Sequence, residues 1–259
     1  MRQMAGEKEL SYNNILDCDA ALSLMWEIKE DVATLIIKHT NPCGGAIGKT
    51  LLESYAKALQ TDPISAFGGV YAFSRRVDLE TAEAMVGQFI EIIIAPGYDS
   101  NALELLSRKK NRRILDMGDL VGSKHVFPQR TFRSTLGGML YQDYDQILLR
   151  KEQVTYPTRR RTTEEEERAL LFGWKFVKHA KSNAIVLSTE SQLIGVGAGQ
   201  MSRVDSCRIA IEKAKRSGLQ VEGTVLASDA FLPFRDSIDL VGKEGVTAVI
   251  QPGGSIRDG

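Results

Sequence analysis

Cysteine is scarce in this chain, and long apolar runs are missing. The three cysteines, Cys18, Cys43 and Cys207, are scattered and form no Cys-x-x-Cys pair, which argues against a disulfide framework or a structural zinc site. No apolar run approaches the ~18 residues that cross a bilayer, and the opening residues have no apolar stretch of signal-peptide type. The sequence therefore predicts a cytoplasmic protein with reduced thiols and no membrane partner.

The sequence also lacks an excess of charge of either sign. Lys and Arg number 33, and Asp and Glu also number 33. No overall field then favours nucleic acid or an anionic membrane, so neither is an expected partner and any ligand must be recognised by a local site. A length of 259 residues allows one large domain or two modest ones, each with a buried core.

Short β-branched apolar runs alternate with helical patterns along the chain. The run at residues 35–37 is followed by Asn-Pro-Cys-Gly-Gly at 41–45, which predicts a tight turn, and then by a helical pattern at 51–60. The same order recurs further along the chain. It predicts an α/β fold of three layers, α/β/α, with helices on both faces of a mixed or parallel sheet.

A polar stretch separates the two halves. Thr163, followed three residues later by Glu166, fits a capping box, and acidic residues suit the first turn of a helix. A solvated linker is favoured over an RNA-binding role for the arginines just before it, because the adjacent glutamates cancel their field. We expect domains of residues 1–155 and 156–259, and their similarity hints at an old duplication.

The most informative cluster is Lys38-His39, at the end of the first predicted strand. The carboxyl ends of strands border the ligand crevice in open α/β sheets, so a cation and an imidazole placed there can face a substrate. The glycines that follow leave room for close approach of a backbone. On the residues alone, a structural, hydrogen-bonded His39 is as good an interpretation as a functional one.

A second cluster surrounds the strand that follows Asn183. This asparagine can supply a positioned amide, and Arg203, near the start of the next helix, can bind an anion. The GVGAG stretch at 195–199 lacks the G-x-G-x-x-G spacing of a dinucleotide-binding loop, so a glycine-rich β-turn is the favoured interpretation.

A third cluster runs from Ser228 to Asp236 and mixes aromatic and polar residues around a proline. Phe231 can stack on a heterocycle. For Asp236, a helix cap is as good an interpretation as a functional role.

A zinc hydrolase is a distant alternative. His39 followed by Pro42-Cys43 faintly resembles the zinc deaminase signature, H-x-E and later P-C-x-x-C. Asn41 occupies the glutamate position, however, and Ala46 stands where a second cysteine would lie. The sequence therefore predicts no metal site.

Six motifs occur in an order that resembles the AICAR transformylase family over nearly the whole chain: KHTNPCGGAIG, DPISAFGG, IIAPGY, SNAIVL, GAGQMSR and SDAFLPFRDSID. The resemblance implies formyl transfer from the co-substrate 10-formyltetrahydrofolate to the 5-amino group of the nucleotide AICAR, in purine biosynthesis. It also implies two subdomains of cytidine-deaminase-like topology and a homodimer with active sites at the subunit interface.

The same resemblance assigns roles to individual residues. His39 matches the catalytic histidine, Lys38 the lysine that stabilises the transition state, and Asn183 an asparagine near the reacting amine. Glu91 stands where some relatives carry aspartate. The nucleotide contacts implied are His39, Gly68, Glu91, Asn183 and Phe231. The folate contacts implied are Arg203, Asp236, Ser255 and Ile256.

Relatives carry further segments before and after the matched region, including a cyclohydrolase domain. We therefore expect either a fragment or a shortened relative of the family. This keeps open a function of another class, a non-catalytic or weakly active module that binds nucleotide or folate and retains the dimeric fold.

Overall fold

A computed structural model of the chain describes residues 2–29, 31–118, 130–147 and 149–256. The elements of the first half are β1 (Arg2–Ala5), α1 (Tyr12–Ile28), β2 (Ala33–Lys38), β3 (Asn41–Ile47), α2 (Leu51–Thr61), α3 (Pro63–Ala66), β4 (Val70–Phe73), α4 (Leu79–Met85), β5 (Ile92–Ala95), α5 (Ser100–Ser107) and β6 (Arg113–Asp116). Those that follow are β7 (Arg130–Thr135), β8 (Gly138–Asp143), a 3₁₀ turn (Lys151–Gln153), α6 (Glu164–Lys178), β9 (Ile185–Ser188), β10 (Leu193–Gly197), α7 (Arg203–Arg216), β11 (Val225–Ser228), α8 (Asp236–Lys243) and β12 (Ala248–Ile250).

The larger sheet has the strand order β1-β6-β5-β4-β2-β3. Strand β2 is antiparallel to both of its neighbours, whereas β4, β5 and β6 run parallel to one another. The α/β fold with a mixed sheet that the sequence predicts is thereby confirmed.

The second sheet repeats the central part of the first. Its order is β10-β9-β11-β12, with β9 antiparallel to β10 and β11, and β11 parallel to β12. The strands β3-β2-β4-β5 of the first sheet have the same order and directions. We call the first sheet with its helices the first unit, and the second sheet with its helices the second unit. In both units a helix precedes the hairpin (α1 or α6) and a helix follows it (α2 or α7).

The two units share contacts and a core. Ala46 of β3 forms an antiparallel bridge with Gln192, just before β10, and the backbone N–H of Ile47 donates to the carbonyl of Ser191 at 2.8 Å. One buried apolar cluster contains Ile37 from the first sheet and Phe176 from α6. The hairpins of the two units therefore lie side by side.

Helix starts follow the predicted capping chemistry. Thr163 caps α6 in a capping box with Glu166, as the sequence predicts. Helix α2 begins after Thr50, whose hydroxyl accepts from the backbone N–H of Glu53. The pattern at 51–60 is confirmed as a helix.

The turn predicted at 41–45 is wrong, and the turn predicted at 195–199 is wrong for residues 195–197, whereas Gly199 beyond the strand has φ +70°. Residues 41–45 belong to β3, and residues 195–197 belong to β10. A Cβ atom at Gly44 would lie 2.2 Å from the Ala58 carbonyl oxygen of α2, and one at Gly195 would lie 2.1 Å from the Ala210 carbonyl oxygen of α7. These glycines let a helix pack directly on a strand, which a local sequence pattern does not distinguish from a turn.

The remaining strands β7 and β8 form a two-stranded hairpin whose residues are mostly exposed. No helix in the described part of the chain is long and apolar enough to span a membrane.

Candidate active site

Three residues of the first unit meet at one edge of the larger sheet. Lys38 ends β2, while Gly68 and Glu91 lie just before β4 and β5. Because β2 runs antiparallel to β4, the carboxyl end of β2 lies beside the amino ends of β4 and β5. The predicted site residues of the first half are therefore brought together by a mixed sheet.

In the second unit, predicted site residues also lie at the ends of neighbouring strands. Asn183 lies just before β9, Phe231 follows β11, and Ser255 follows β12. The start of β9 pairs with the end of β11, which is parallel to β12. Asn183 and Phe231 thus lie at the same edge, and Arg203 contacts Asn183 there.

A hydrogen bond joins the two edges. The side-chain oxygen of Asn41 accepts from the backbone N–H of Lys181 at 2.8 Å, and its amide nitrogen donates to the carbonyl of His39 at 3.0 Å. Lys181 precedes Asn183 by two residues. The structure thereby places the Lys38-His39 hairpin beside the segment that carries Asn183.

His39 and Thr40 form the two-residue turn between β2 and β3. Both have positive φ, 50° for His39 and 63° for Thr40, as the central residues of a type I′ turn do. The His39 side chain is exposed at the tip. An exposed imidazole at a sheet edge can meet a ligand.

The ammonium of Lys38 is held by main-chain carbonyls. Its Nζ donates to the carbonyl oxygens of Phe67 at 3.0 Å and Gly68 at 2.8 Å. Gly68 has φ +66°, and a Cβ there would lie 3.2 Å from the Lys38 Nζ. The positive φ favours glycine at position 68, and a side chain there would also crowd Phe89 and the lysine.

Glu91 is fixed by two partners. Its Oε1 accepts from Asn14 Nδ2 at 3.0 Å and from Arg113 at 3.3 Å. The Arg113 side chain is buried, and the Glu91 side chain is 39% exposed. Part of the carboxylate therefore remains accessible at the edge.

Asn183 and Arg203 bind each other. Asn183 Oδ1 accepts from the Arg203 guanidinium at 2.6 Å, and its Nδ2 donates to the carbonyls of Gln200 at 2.9 Å and Met201 at 3.1 Å. Arg203 also donates to Ser228 Oγ at 3.0 Å and forms an ion pair with Asp229. Both predicted contact residues are part of one internal network.

Asp229 remains ionised within that network. Burial alone would raise its pKa, but hydrogen bonds from Ser182, Arg203 and the Ala184 backbone, with the Arg203 charge, outweigh burial and lower the pKa below its ordinary value. A stable carboxylate there keeps the Arg203 guanidinium in place.

The remaining predicted residues lie in the segments after β11 and β12. Phe231 is 41% exposed, and the backbone N–H of Leu232 donates to Gln251 Oε1, which links the two segments. Asp236 is the first residue of α8 rather than its N-cap, which is Arg235. Ile256 is fully exposed.

Several residues at this edge were not found from the sequence. Asp17 accepts from the Thr40 backbone N–H at 2.6 Å, and Phe67 packs on Phe89 with ring centroids 4.8 Å apart. Asp17 and Thr40 are far apart in sequence, so no local pattern signals their contact. Phe67 lies inside the DPISAFGG motif, so this motif could have indicated Phe67 as a site residue.

Among the described residues, no group of three or more His, Cys, Asp and Glu is placed to hold a metal ion. The fold and this edge define an α/β protein of two repeated units. Where the units meet, the His39 turn lies beside the segment that carries Asn183, so polar groups of both units lie close together there.

The chain belongs to the AICARFT/IMPCHase bienzyme family, whose model matches residues 1–213. It is 50% identical over 256 residues to the bifunctional purine biosynthesis protein PurH of Aquifex aeolicus (strain VF5), covering 99% of this chain and 49% of that protein. The chain thus spans about half the length of this curated relative. The family resemblance carried by the six motifs is confirmed.

Proposed function

We propose that this chain transfers a formyl group from 10-formyltetrahydrofolate to the 5-amino group of AICAR. Family membership and the relative's role in purine biosynthesis support the reaction class. The structural observation that supports it is the Asn41–Lys181 hydrogen bond, because it joins the hairpin that carries His39 to the segment that carries Asn183.

His39 acts as the general base. The 5-amino group is a poor nucleophile because its lone pair is delocalised into the imidazole ring of the nucleotide. Removal of its proton by His39, directly or through the neighbouring carboxamide, assists attack on the formyl carbon, an effect of roughly 10²–10⁴-fold. A new N–C bond forms, the bond from the formyl carbon to the folate nitrogen breaks, and that nitrogen takes up a proton.

Lys38 stabilises negative charge on the formyl oxygen. An ammonium has three N–H donors, and the carbonyls of Phe67 and Gly68 accept from Lys38. With one N–H of Lys38 directed at each carbonyl, the third N–H is left to donate to the formyl oxygen. A well-placed donor of this kind contributes about 3 kcal/mol to transition-state stabilisation.

The nucleotide is assigned to residues of both edges, and the folate to residues of the second unit. Nucleotide contacts are His39, Gly68, Glu91, Asn183 and Phe231, and folate contacts are Arg203, Asp236, Ser255 and Ile256. The exposed ring of Phe231 suits a flat heterocycle. Arg203 acts mainly by holding Asn183, since its guanidinium is already paired with Asp229.

The proposal includes a homodimer with active sites at the subunit interface and a cytoplasmic location. All three cysteines are free and buried, which suits a reducing compartment. It also includes two cytidine-deaminase-like subdomains, residues 1–155 and 156–259, and the repeated strand order supports this division.

The test is formyl transfer by the wild-type chain and by His39→Ala, with nucleotide binding measured by calorimetry on both proteins. We expect His39→Ala to bind nucleotide and to lose turnover by roughly 10²–10⁴-fold. Near-normal turnover in His39→Ala would refute the assignment of the base.

A binding module without catalysis is the second candidate. It is favoured by the Asn183 amide, which is engaged by Gln200, Met201 and Arg203. The same pair of measurements separates the candidates, because a module binds nucleotide or folate and shows no wild-type turnover.

A further inference from the structure

The His39–Thr40 turn has an unfavourable backbone conformation for its sequence. Type I′ turns need positive φ at both central residues and are usually formed by Asn-Gly or Gly-Gly. Histidine tolerates the left-handed region better than most residues, but a β-branched residue there is an outlier. Thr40, with φ 63°, therefore stores strain next to the proposed base.

Two side chains from outside the turn hold it in this conformation. Asp17, on α1, accepts from the Thr40 backbone N–H at 2.6 Å. Asn41 donates to the His39 carbonyl at 3.0 Å and accepts from Lys181 at 2.8 Å. The turn is thus anchored to a helix of its own unit and to the neighbouring unit.

We propose that Asp17 and Asn41 are positioning residues for the formyl transfer, holding the strained turn so that the His39 ring faces the Asn183 segment. The inference rests on the proposed function and deepens it. Neither residue needs to touch substrate, because both act through the backbone of the turn. Catalysis depends on such placement, since a displacement of about 1 Å can reduce turnover roughly hundredfold.

The first test compares two replacements of Asp17 in the full chain. Asp17→Ala removes the acceptor for the Thr40 N–H and is expected to lower kcat by roughly tenfold to hundredfold, with a smaller change in the KM for nucleotide. Asp17→Asn keeps an oxygen at the same place, so it should recover most of the lost kcat. Asp19→Ala, an exposed carboxylate on the same helix, is the control and should retain wild-type kcat.

The second test relieves the strain directly. Glycine adopts positive φ without the Cβ penalty, so Thr40→Gly needs less support from Asp17. In the double variant Asp17→Ala/Thr40→Gly, kcat should rise above that of Asp17→Ala alone. A purely structural role of Asp17 in α1 would not be corrected by a change in the turn. Because Thr40→Gly also removes the hydroxyl that donates to the His39 carbonyl at 2.7 Å, Thr40→Gly alone is measured as the reference. If adding Asp17→Ala lowers kcat as much in the Thr40→Gly background as in wild type, the proposal is overturned.

Asn41 is tested by replacing only its donor. Asn41→Asp keeps an acceptor for the Lys181 N–H but loses the donation to the His39 carbonyl. We expect a fall in kcat of about tenfold or more, with nucleotide affinity little changed. Unchanged kcat in this variant would remove Asn41 from the proposal.

A readout that does not depend on activity separates this inference from the proposed function. Hydrogen exchange at the Thr40 amide, followed by NMR, should be faster in Asp17→Ala than in wild type and in Asp19→Ala. If wild type shows no formyl transfer but exchange changes as expected, the reaction is wrong and the anchoring is right. If exchange is the same in all three proteins, the anchoring itself is refuted.

Discussion

The guanidinium of Arg203 donates to the side-chain oxygen of Asn183 at 2.6 Å. The family resemblance assigns Asn183 to the nucleotide and Arg203 to the folate, yet the two side chains bind each other. Asp229 completes the arrangement by pairing with Arg203 and accepting from the Ala184 backbone at 2.9 Å. The nucleotide and folate sides of the proposed site are therefore mechanically coupled.

Replacement of Arg203 by lysine should destabilise the fold and disturb the site. A lysine has no planar fork to reach Ser228, Asp229 and Asn183 together. Because this leaves a largely buried carboxylate poorly paired, we expect a loss of about 2–4 kcal/mol in the free energy of unfolding, measured in urea. Arg208→Lys, an exposed position on the same helix, should change it by no more than about 0.5 kcal/mol. Equal effects of the two variants would contradict the network.

Replacement of Lys38 by methionine should reduce catalysis more than binding. The variant keeps the apolar stem but removes the charge that faces the proposed oxyanion. We expect kcat to fall by roughly 10²–10³-fold in a spectrophotometric formyl-transfer assay. Lys49→Met, an exposed lysine after the far end of the same hairpin, is the matched control. A fall confined to KM would show that Lys38 serves ground-state binding instead.

Replacement of Gly44 by alanine should destabilise the first unit. The added Cβ would lie 2.2 Å from the Ala58 carbonyl oxygen, so α2 must move away from β3. We expect a loss of about 1–3 kcal/mol, typical of overpacking, in thermal or urea unfolding. Gly87→Ala is the control, since a Cβ at Gly87 meets nothing within 4 Å. Similar stability of the two variants would show that the contact is not tight.

Glu166 should make stability depend on acid pH. The Arg160 guanidinium at 2.7 Å, with the Thr163 backbone N–H, lowers the pKa of Glu166 to about 2 against the opposing effect of burial. Because the folded-state pKa is depressed, the stabilisation is present above the ordinary value of 4.5 and is lost as the pH falls through about 2.

The measurement is the free energy of unfolding of wild type and Glu166→Gln between about pH 6 and pH 2. Wild type should lose about 1–2 kcal/mol more than the variant over this range, a discounted figure because Arg160 is more than half exposed. Parallel curves would mean that Glu166 contributes nothing to the acid dependence.

Local patterns predicted much of the secondary structure. The β-branched run at 35–37, the helix at 51–60 and the Thr163–Glu166 capping box depend on neighbours a few residues apart, and all three are present. The turn prediction is wrong at Gly44 and Gly195, because each glycine lies in a strand on which a helix later in the chain, α2 or α7, packs closely. A tight turn and a close strand–helix contact both favour glycine, so the local sequence does not distinguish them.

The sequence by itself determined the α/β class and the family, because these depend on residue types and their order. It also supplied the candidate site residues, whose roles stay predictions. Only the tertiary structure decided how those side chains meet. The antiparallel β2 brings Lys38 beside Gly68, and the Asn41–Lys181 hydrogen bond joins the two units. Asp17 supports Thr40 from another element. Such contacts link residues distant in sequence, so they exist only once the chain has packed.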